Sequence, residues 1–396
     1  MVSMRIKKLN VIAPEGLRLL GEEFTVTADE ADPHAILVRS AQVDVGLYPS
    51  LYAVARAGAG VNNINVAEAT SRGICVFNTP GANANAVVDL VFPMIGVWKR
   101  NIYRGIRFCE SLADLKPGQV GEVVEQRKAA FKGEEIGGKN LAVVGLGQIG
   151  TRLANGGIQR HMNVKGYDPS PAVENIHQLF PAVRLCGTLR DAIGDADIVS
   201  IHLPLNDRTR YLINAEFISK MKKGSILVNY SREQIVDEEA VIEALDQNRL
   251  EAYLTDFPTS RNVGHEKVLT TPHLGASTSE SEENCAKMAA KELRAYLKYG
   301  NVVHSVNFPN IESIPTDDIH TRLIVINRDV PGMIAFVSNV FGNHQINITS
   351  YLNRSNGTVG YNIIDVEGDI PAQLVIEVEK NEDVIRTRLI HFKTAD

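Results

Sequence analysis

The sequence predicts an α/β chain: two doubly wound parallel-sheet domains followed by a small α+β domain. Three observations carry this. Short apolar runs alternate with helical stretches up to about residue 92. A glycine-rich turn at residues 145–150 opens a second such series. From residue 321 the order changes to strand–helix–strand–strand–helix–strand.

In the first series, Ala35–Val38 and residues 53–55 and 74–77 are continuous apolar runs, as expected of parallel strands covered on both faces. Residues 86–108 look like one long apolar helix. It holds the only tryptophan, Trp98, and is expected in a core or subunit interface. Residues 140–144 then lead, as a buried strand, into Gly145-Leu-Gly147-Gln148-Ile149-Gly150. This is the GxGxxG spacing of a dinucleotide-binding turn. Gly145 permits the tight turn, Gly147 lets the backbone approach a pyrophosphate, and Gly150 allows close helix–strand packing. The helix that follows, including Gln148 and Ile149, points its N-terminal N–H groups at the diphosphate. Asp168 ends the next strand about 20 residues on, where an acid meets the ribose hydroxyls. The expected cofactor is NAD, because a carboxylate there repels the extra phosphate of NADP.

Ile198–Ile201 and residues 225–228 and 251–254 continue a Rossmann-like sheet, and an Ala- and Glu-rich helix follows at Ser279–Tyr299. A loop at 303–309 and a polar linker lead to the last unit, whose βαββαβ order is ferredoxin-like. The expected domains are 1–92 with 297–315, 93–296, and 318–396.

Composition narrows the function classes. Of 396 residues, 44% are hydrophobic and 22% charged, as in an ordinary soluble protein. A net charge of -6 argues against nucleic acid or an anionic membrane as partner. The four cysteines are scattered without a CxxC pair, so neither a disulfide framework nor a metal site is indicated. No window is apolar enough to span a bilayer, and a reducing cytoplasm is expected.

Three further features carry chemistry. His273 stands in Thr-Pro-His-Leu-Gly-Ala-Ser-Thr, residues 271–278, between a strand end and a helix start. Oxidising an alcohol by hydride transfer needs a base for the hydroxyl proton, and the imidazole pKa suits that task. Arg232 follows the strand at 225–228, at the edge where open α/β sheets bind ligands. Its guanidinium can hold a carboxylate as a fork and polarise a neighbouring carbonyl. In the first unit, Arg56-Ala-Gly58-Ala-Gly60 offers backbone N–H groups to an anion. Arg39 and Arg56 end successive strands there, suggesting a substrate with a second anionic group such as phosphate.

In this order these motifs resemble the D-2-hydroxyacid dehydrogenase family over essentially the whole chain, and within it the branch that oxidises 3-phosphoglycerate to 3-phosphohydroxypyruvate with NAD in serine biosynthesis. The resemblance implies that Arg232 binds and polarises the substrate and His273 shuttles the proton. It implies that Ser231, Gly58 and Gly60 lie near the carboxylate, that Asp256 meets the nicotinamide carboxamide, that His202 and Pro204 line the adenine side, and that Asn78 lies near the cofactor. The last unit resembles an ACT domain, which implies an amino-acid effector such as L-serine at Asn327, Asp329 and Asn347, and a homodimer or homotetramer. The chain departs from the family at one telling place. The glutamate expected a few residues past Asp256 is absent from Asp-Phe-Pro-Thr-Ser-Arg, residues 256–261. Without it His273 should lose part of its stabilisation as imidazolium, with Asp256 the nearest substitute acid. The alternatives are another 2-hydroxy acid as substrate, or a non-catalytic sensor of NAD and an amino acid.

Overall fold

A computed structural model describes residues 4–116 and 118–392. The ends of the expected outer domains, 1–3 and 393–396, lie outside the described residues. The chain divides into two compact units, Met1–Asn83 with Glu282–Asp396, and Ala84–Ser281. The expected crossings at 92/93 and 296/297 both come earlier, and the C-terminal sheet falls in the same unit as the first one.

In the first unit, β1 (Met4–Leu9), α1 (Pro14–Leu20), β2 (Phe24–Thr27), β3 (Ala35–Val38), β4 (Ala53–Arg56), α2 (Val66–Ser71) and β5 (Cys75–Phe77) build a parallel sheet of order β2-β1-β3-β4-β5. That is the flavodoxin-like doubly wound order. The apolar runs are buried on both faces because alternate side chains serve different cores. Ile36, Val38, Val54 and Val76 fill one cluster, while Leu37, Ala55, Cys75 and Phe77 fill another.

The second unit begins with α3 (Ala84–Lys99), α4 (Ile102–Glu110) and α5 (Gln119–Arg127). The single helix expected at 86–108 is therefore two. Asn101 takes a left-handed φ of 52°, donates its N–H to the Trp98 carbonyl and its side-chain amide to the Lys132 carbonyl, and so turns the chain. Trp98 packs on the core as expected and donates from Nε1 to Glu251 at 2.9 Å.

There follow β6 (Asn140–Val144), α6 (Gln148–Gln159), β7 (Asn163–Tyr167), α7 (Val173–His177), β8 (Arg184–Leu185), α8 (Leu189–Ile193), β9 (Ile198–Ile201), α9 (Ala215–Lys220), β10 (Ser225–Asn229), α10 (Glu238–Asp246), β11 (Leu250–Thr255) and β12 (Val268–Thr270). The sheet order β12-β11-β10-β9-β6-β7-β8 is that of a Rossmann fold carrying a seventh strand. Its alternation is again two-sided: Val144, Ile201 and Leu227 enter one cluster, and Val143, Ile198 and Val228 the other.

The helix α11 (Ser279–Tyr299) returns the chain to the first unit. There β13 (Thr321–Arg328), α12 (Met333–Asn343), β14 (Ser350–Ser355), β15 (Val359–Val366), α13 (Ala372–Glu379) and β16 (Val384–His391) form an antiparallel sheet, β14-β15-β13-β16, with ferredoxin-like topology. Leu323 and Val325 face α12 and α13, whereas Ile324 and Ile326 join the cluster that holds Tyr296 and Leu297 of α11. Two buried arginines fix this contact by satisfying carbonyls at the C-terminal end of α11. Arg322 donates to Tyr299 O at 2.6 Å and pairs with Asp365, and Arg388 donates to Tyr296 O at 3.0 Å and to Leu297 O.

Candidate active site

The turn after β6 has the geometry its glycines require. Gly145 has φ 95°, and a Cβ on it would lie 2.4 Å from the His202 carbonyl oxygen. A Cβ on Gly150 would lie 1.9 Å from the Gly145 carbonyl oxygen, so α6 could not come this close to β6. Gly147 has open space above it, and α6 starts at Gln148 with its first N–H groups directed out of the helix end. The Gln148 side chain is committed elsewhere, donating to Asn175 at 2.8 Å.

Asp168 follows β7. Its Oδ2 accepts from the Leu146 N–H at 2.8 Å and Oδ1 from the Ser170 N–H at 2.9 Å, which ties the acid to the turn while leaving carboxylate lone pairs for hydroxyl groups. His202 follows β9. Burial pushes its pKa down to about 4, Nε2 meets Ser200 Oγ at 2.8 Å, and Nδ1 is buried without a protein partner. Pro204 lies beyond it, exposed, with its carbonyl accepting from Thr209 Oγ1. A glycine cradle, an anchored acid and an orphaned nitrogen beside the turn fit a dinucleotide. No group of three or more His, Cys, Asp or Glu among the described residues could hold a metal ion.

Arg232 and His273 belong to the same sheet edge. Asn229 ends β10 and folds the turn after it: its Oδ1 accepts from the Ser231 N–H and hydroxyl, and its Nδ2 donates to the Arg232 carbonyl at 2.9 Å. Ser231 is buried and its hydroxyl is spent on this turn. Arg232 donates from one nitrogen to Ser231 O at 2.6 Å, and burial lowers its pKa. His273 follows β12 in a left-handed conformation, φ 57°, with its side chain exposed. No carboxylate among the described residues hydrogen-bonds to its ring.

Asp256 does not take the missing glutamate's place. It is 2% exposed, and both carboxylate oxygens are engaged by the loop that carries His273. The imidazole packs instead against Phe257 in a T-shaped arrangement, 5.3 Å between ring centroids. Sequence reasoning missed this residue. The signal was there: an aromatic one place past the strand-end acid, where the family's segment has been shortened.

The remaining expected residues lie in the first unit, at the carboxyl ends of β3, β4 and β5, on β13 or in the loops after β13 and α12. Arg39 pairs with Glu282 at 2.7 Å, both side chains part exposed. Arg56 is not a free second cation. Its guanidinium donates to the carbonyls of Arg39 and Gly60. The same loop joins Gly58 O to the Thr79 N–H at 3.1 Å, and Asn78 donates to Ala59 O at 2.7 Å. Asn327 is likewise unavailable to an effector. It is buried, donates to Arg328 O, and accepts from Asn362 Nδ2 at 2.7 Å. Asp329 is exposed and accepts from Ser355 Oγ, and Asn347 is exposed.

A family model described as D-isomer specific 2-hydroxyacid dehydrogenase, NAD binding domain, matches residues 104–275. A D-3-phosphoglycerate dehydrogenase of Haemophilus influenzae is 30% identical over 354 residues, covering 87% of this chain and 82% of the relative. That of Escherichia coli strain K12 is 31% identical over 347 residues, covering 84% and 80%. A crystal structure of NAD+-bound 3-phosphoglycerate dehydrogenase from Entamoeba histolytica aligns with a TM-score of 0.61 at 26% identity, over 77% of this chain and 99% of that one. Fold and site together define an NAD-binding oxidoreductase of the D-isomer specific 2-hydroxyacid dehydrogenase class. Within that class, the chain belongs to the D-3-phosphoglycerate dehydrogenase family.

Proposed function

We propose that the chain oxidises 3-phosphoglycerate to 3-phosphohydroxypyruvate, the reaction that opens L-serine biosynthesis. The observation that carries this is the grouping at one edge of the seven-stranded sheet. The glycine turn follows β6, Asp168 follows β7, Arg232 follows β10, Asp256 follows β11 and His273 follows β12, all at strand carboxyl ends where open α/β sheets bind ligands.

The turn at 145–150 and Asp168 would hold NAD, which would supply the acceptor for the hydride leaving the substrate's C2. Arg232 binds the substrate carboxylate, and its charge polarises the C2 oxygen as the carbonyl forms. Partial burial strengthens that interaction, since fewer waters compete for the guanidinium. His273 takes the C2 hydroxyl proton from its exposed position. Within the first unit, the 58–60 loop and Arg39, which pairs with Glu282, are the candidate groups for an anion.

Mixing the protein with NAD and 3-phosphoglycerate and following NADH at 340 nm (roughly the nicotinamide absorption band) tests the reading. NAD binding without turnover would make the chain a sensor instead. One observation favours a second substrate reading: both first-unit arginines already have partners. If kcat/KM for D-glycerate equals that for 3-phosphoglycerate, the substrate is an unphosphorylated 2-hydroxy acid.

The C-terminal unit is an ACT-like module, with L-serine as its effector at Asp329 and Asn347. Absence of both inhibition and binding at millimolar serine removes that assignment. The exposed Ile102, Tyr103 and Ile106 on α4 support a subunit interface in a homodimer or homotetramer, which light scattering measures. Among the described residues no helix is long and apolar enough to cross a membrane, and the four cysteines carry free thiols, which fits a reducing cytoplasm.

A further inference from the structure

We propose that Asp256 is a positioning residue that sets His273 through the backbone, in place of a carboxylate acting on the imidazole ring. The inference rests on the reading that His273 carries the proton.

A non-glycine residue at φ 57° sits in a conformation that L side chains adopt rarely and only where the surroundings hold it. What holds His273 is a clamp on both sides of it in sequence. Asp256 Oδ1 accepts from Thr271 Oγ1 at 2.6 Å and from the Leu274 N–H at 2.7 Å, and Oδ2 accepts from the Gly275 N–H at 2.7 Å. The Asp256 carbonyl accepts from the N–H of His273 itself at 3.1 Å. The chain therefore wraps around one buried carboxylate, and His273 is the residue at the crest. Three donors on the two oxygens of one carboxylate, all at 2.6–2.7 Å, make strong hydrogen bonds. Asp256 is in turn seated on the sheet, its N–H bonded to Asn229 O at 3.3 Å, in the same turn that folds Arg232.

The ring is restrained separately. Phe257 packs against the imidazole in a T-shaped arrangement, at an interplanar angle of 82° and 5.3 Å between ring centroids. Phe257 is held by the short loop that replaces the family's acidic segment. Buried Asn262 donates to Phe257 O at 2.8 Å and to Glu238 Oε1 at 2.8 Å, and Thr259 Oγ1 donates to the same Glu238 oxygen at 2.6 Å. The acid that does face this loop is thus used to fold it. Orientation of the base has passed from a side-chain partner to a backbone clamp and an aromatic wall.

The test is steady-state turnover at saturating NAD with NAD affinity measured separately by fluorescence. In Asp256→Asn an amide nitrogen must face a backbone N–H, so kcat at saturating NAD falls at least tenfold, beyond any change in the Kd for NAD. Thr271→Val, which removes one donor, lowers kcat in the same direction, and Thr271→Ser, which keeps the hydroxyl, restores it. Should Asp256→Asn fail to fold, the Thr271 pair decides alone. The proposal falls if Asp256→Asn loses activity only through weaker NAD binding, or if Thr271→Val and Thr271→Ser have equal kcat. His273→Asn separates the two levels. If it leaves kcat unchanged, the reading of His273 as base is wrong; if it abolishes turnover while Asp256→Asn stays within twofold, only the clamp is wrong.

Discussion

Arg232 and His273 lie after β10 and β12, at the strand-end positions expected of them. Arg56 and Asn327 could not be judged from sequence. Both have the right functional groups, but backbone carbonyls claimed one and a cross-strand amide claimed the other. Residue type reports what a side chain can donate, never where the donor is already spent. Removing the Arg232 guanidinium should be decisive: Arg232→Ala is expected to lower kcat/KM by roughly a hundredfold or more, the scale of losing a preorganised charge-assisted donor. His202 gives a pH prediction. Its folded pKa of about 4 lies below the ordinary 6.5, so the unfolded chain binds the proton first as pH falls. The stability it lends is complete above pH 6.5 and is lost on the way down to pH 4, up to about 3 kcal/mol. Urea unfolding at pH 7, 5.5 and 4 should show that loss, reduced in His202→Gln.

Among the elements, the parallel strands were legible because continuous apolar runs have few other uses, and each buried Val, Leu or Ile contributes about 1.5–3 kcal/mol to keeping them inside. The break between α3 and α4 was not, because apolar periodicity continues straight through Asn101, whose left-handed turn depends on a tertiary acceptor at Lys132. Helix α11 carries an acid that no pattern would flag. Glu292 is 6% exposed, and burial raises its carboxyl pKa to about 9. Its Oε1 lies 2.9 Å from His304 Nδ1, and burial lowers the His304 pKa as well. The folded state binds the Glu292 proton more tightly than the unfolded one, so stability declines as pH rises from about 4.5 to about 9. Glu292→Gln should match the wild type near pH 4 and exceed it by a margin that grows as pH rises to 9, read from denaturant midpoints.

For the whole molecule, the βαββαβ run was legible as a small unit of its own, but its burial was not. Ile324, Ile326, Val359, Tyr361, Ile363 and Ile390 share one cluster with the core of the first sheet and α11. Six such side chains represent roughly 9–18 kcal/mol of burial, comparable to the entire stability of a domain. Ending the chain after Asp317 should therefore yield insoluble protein rather than an unregulated enzyme, a result that expression and sedimentation will check.

The division at Asn83/Ala84 and Ser281/Glu282 also orders events in time. The second unit is one unbroken stretch of sequence, whereas the first is completed only by segments on both sides of it. On a ribosome moving at about 5–20 residues per second, the strands β1 to β5 wait roughly 10–40 s for α11 and roughly 15–60 s for the last sheet to emerge. During that interval their apolar faces are uncovered while the nucleotide-binding unit already has every residue it needs. The early strands are thus the part of this chain that most depends on chaperones at birth, and the mature enzyme carries no trace of that debt.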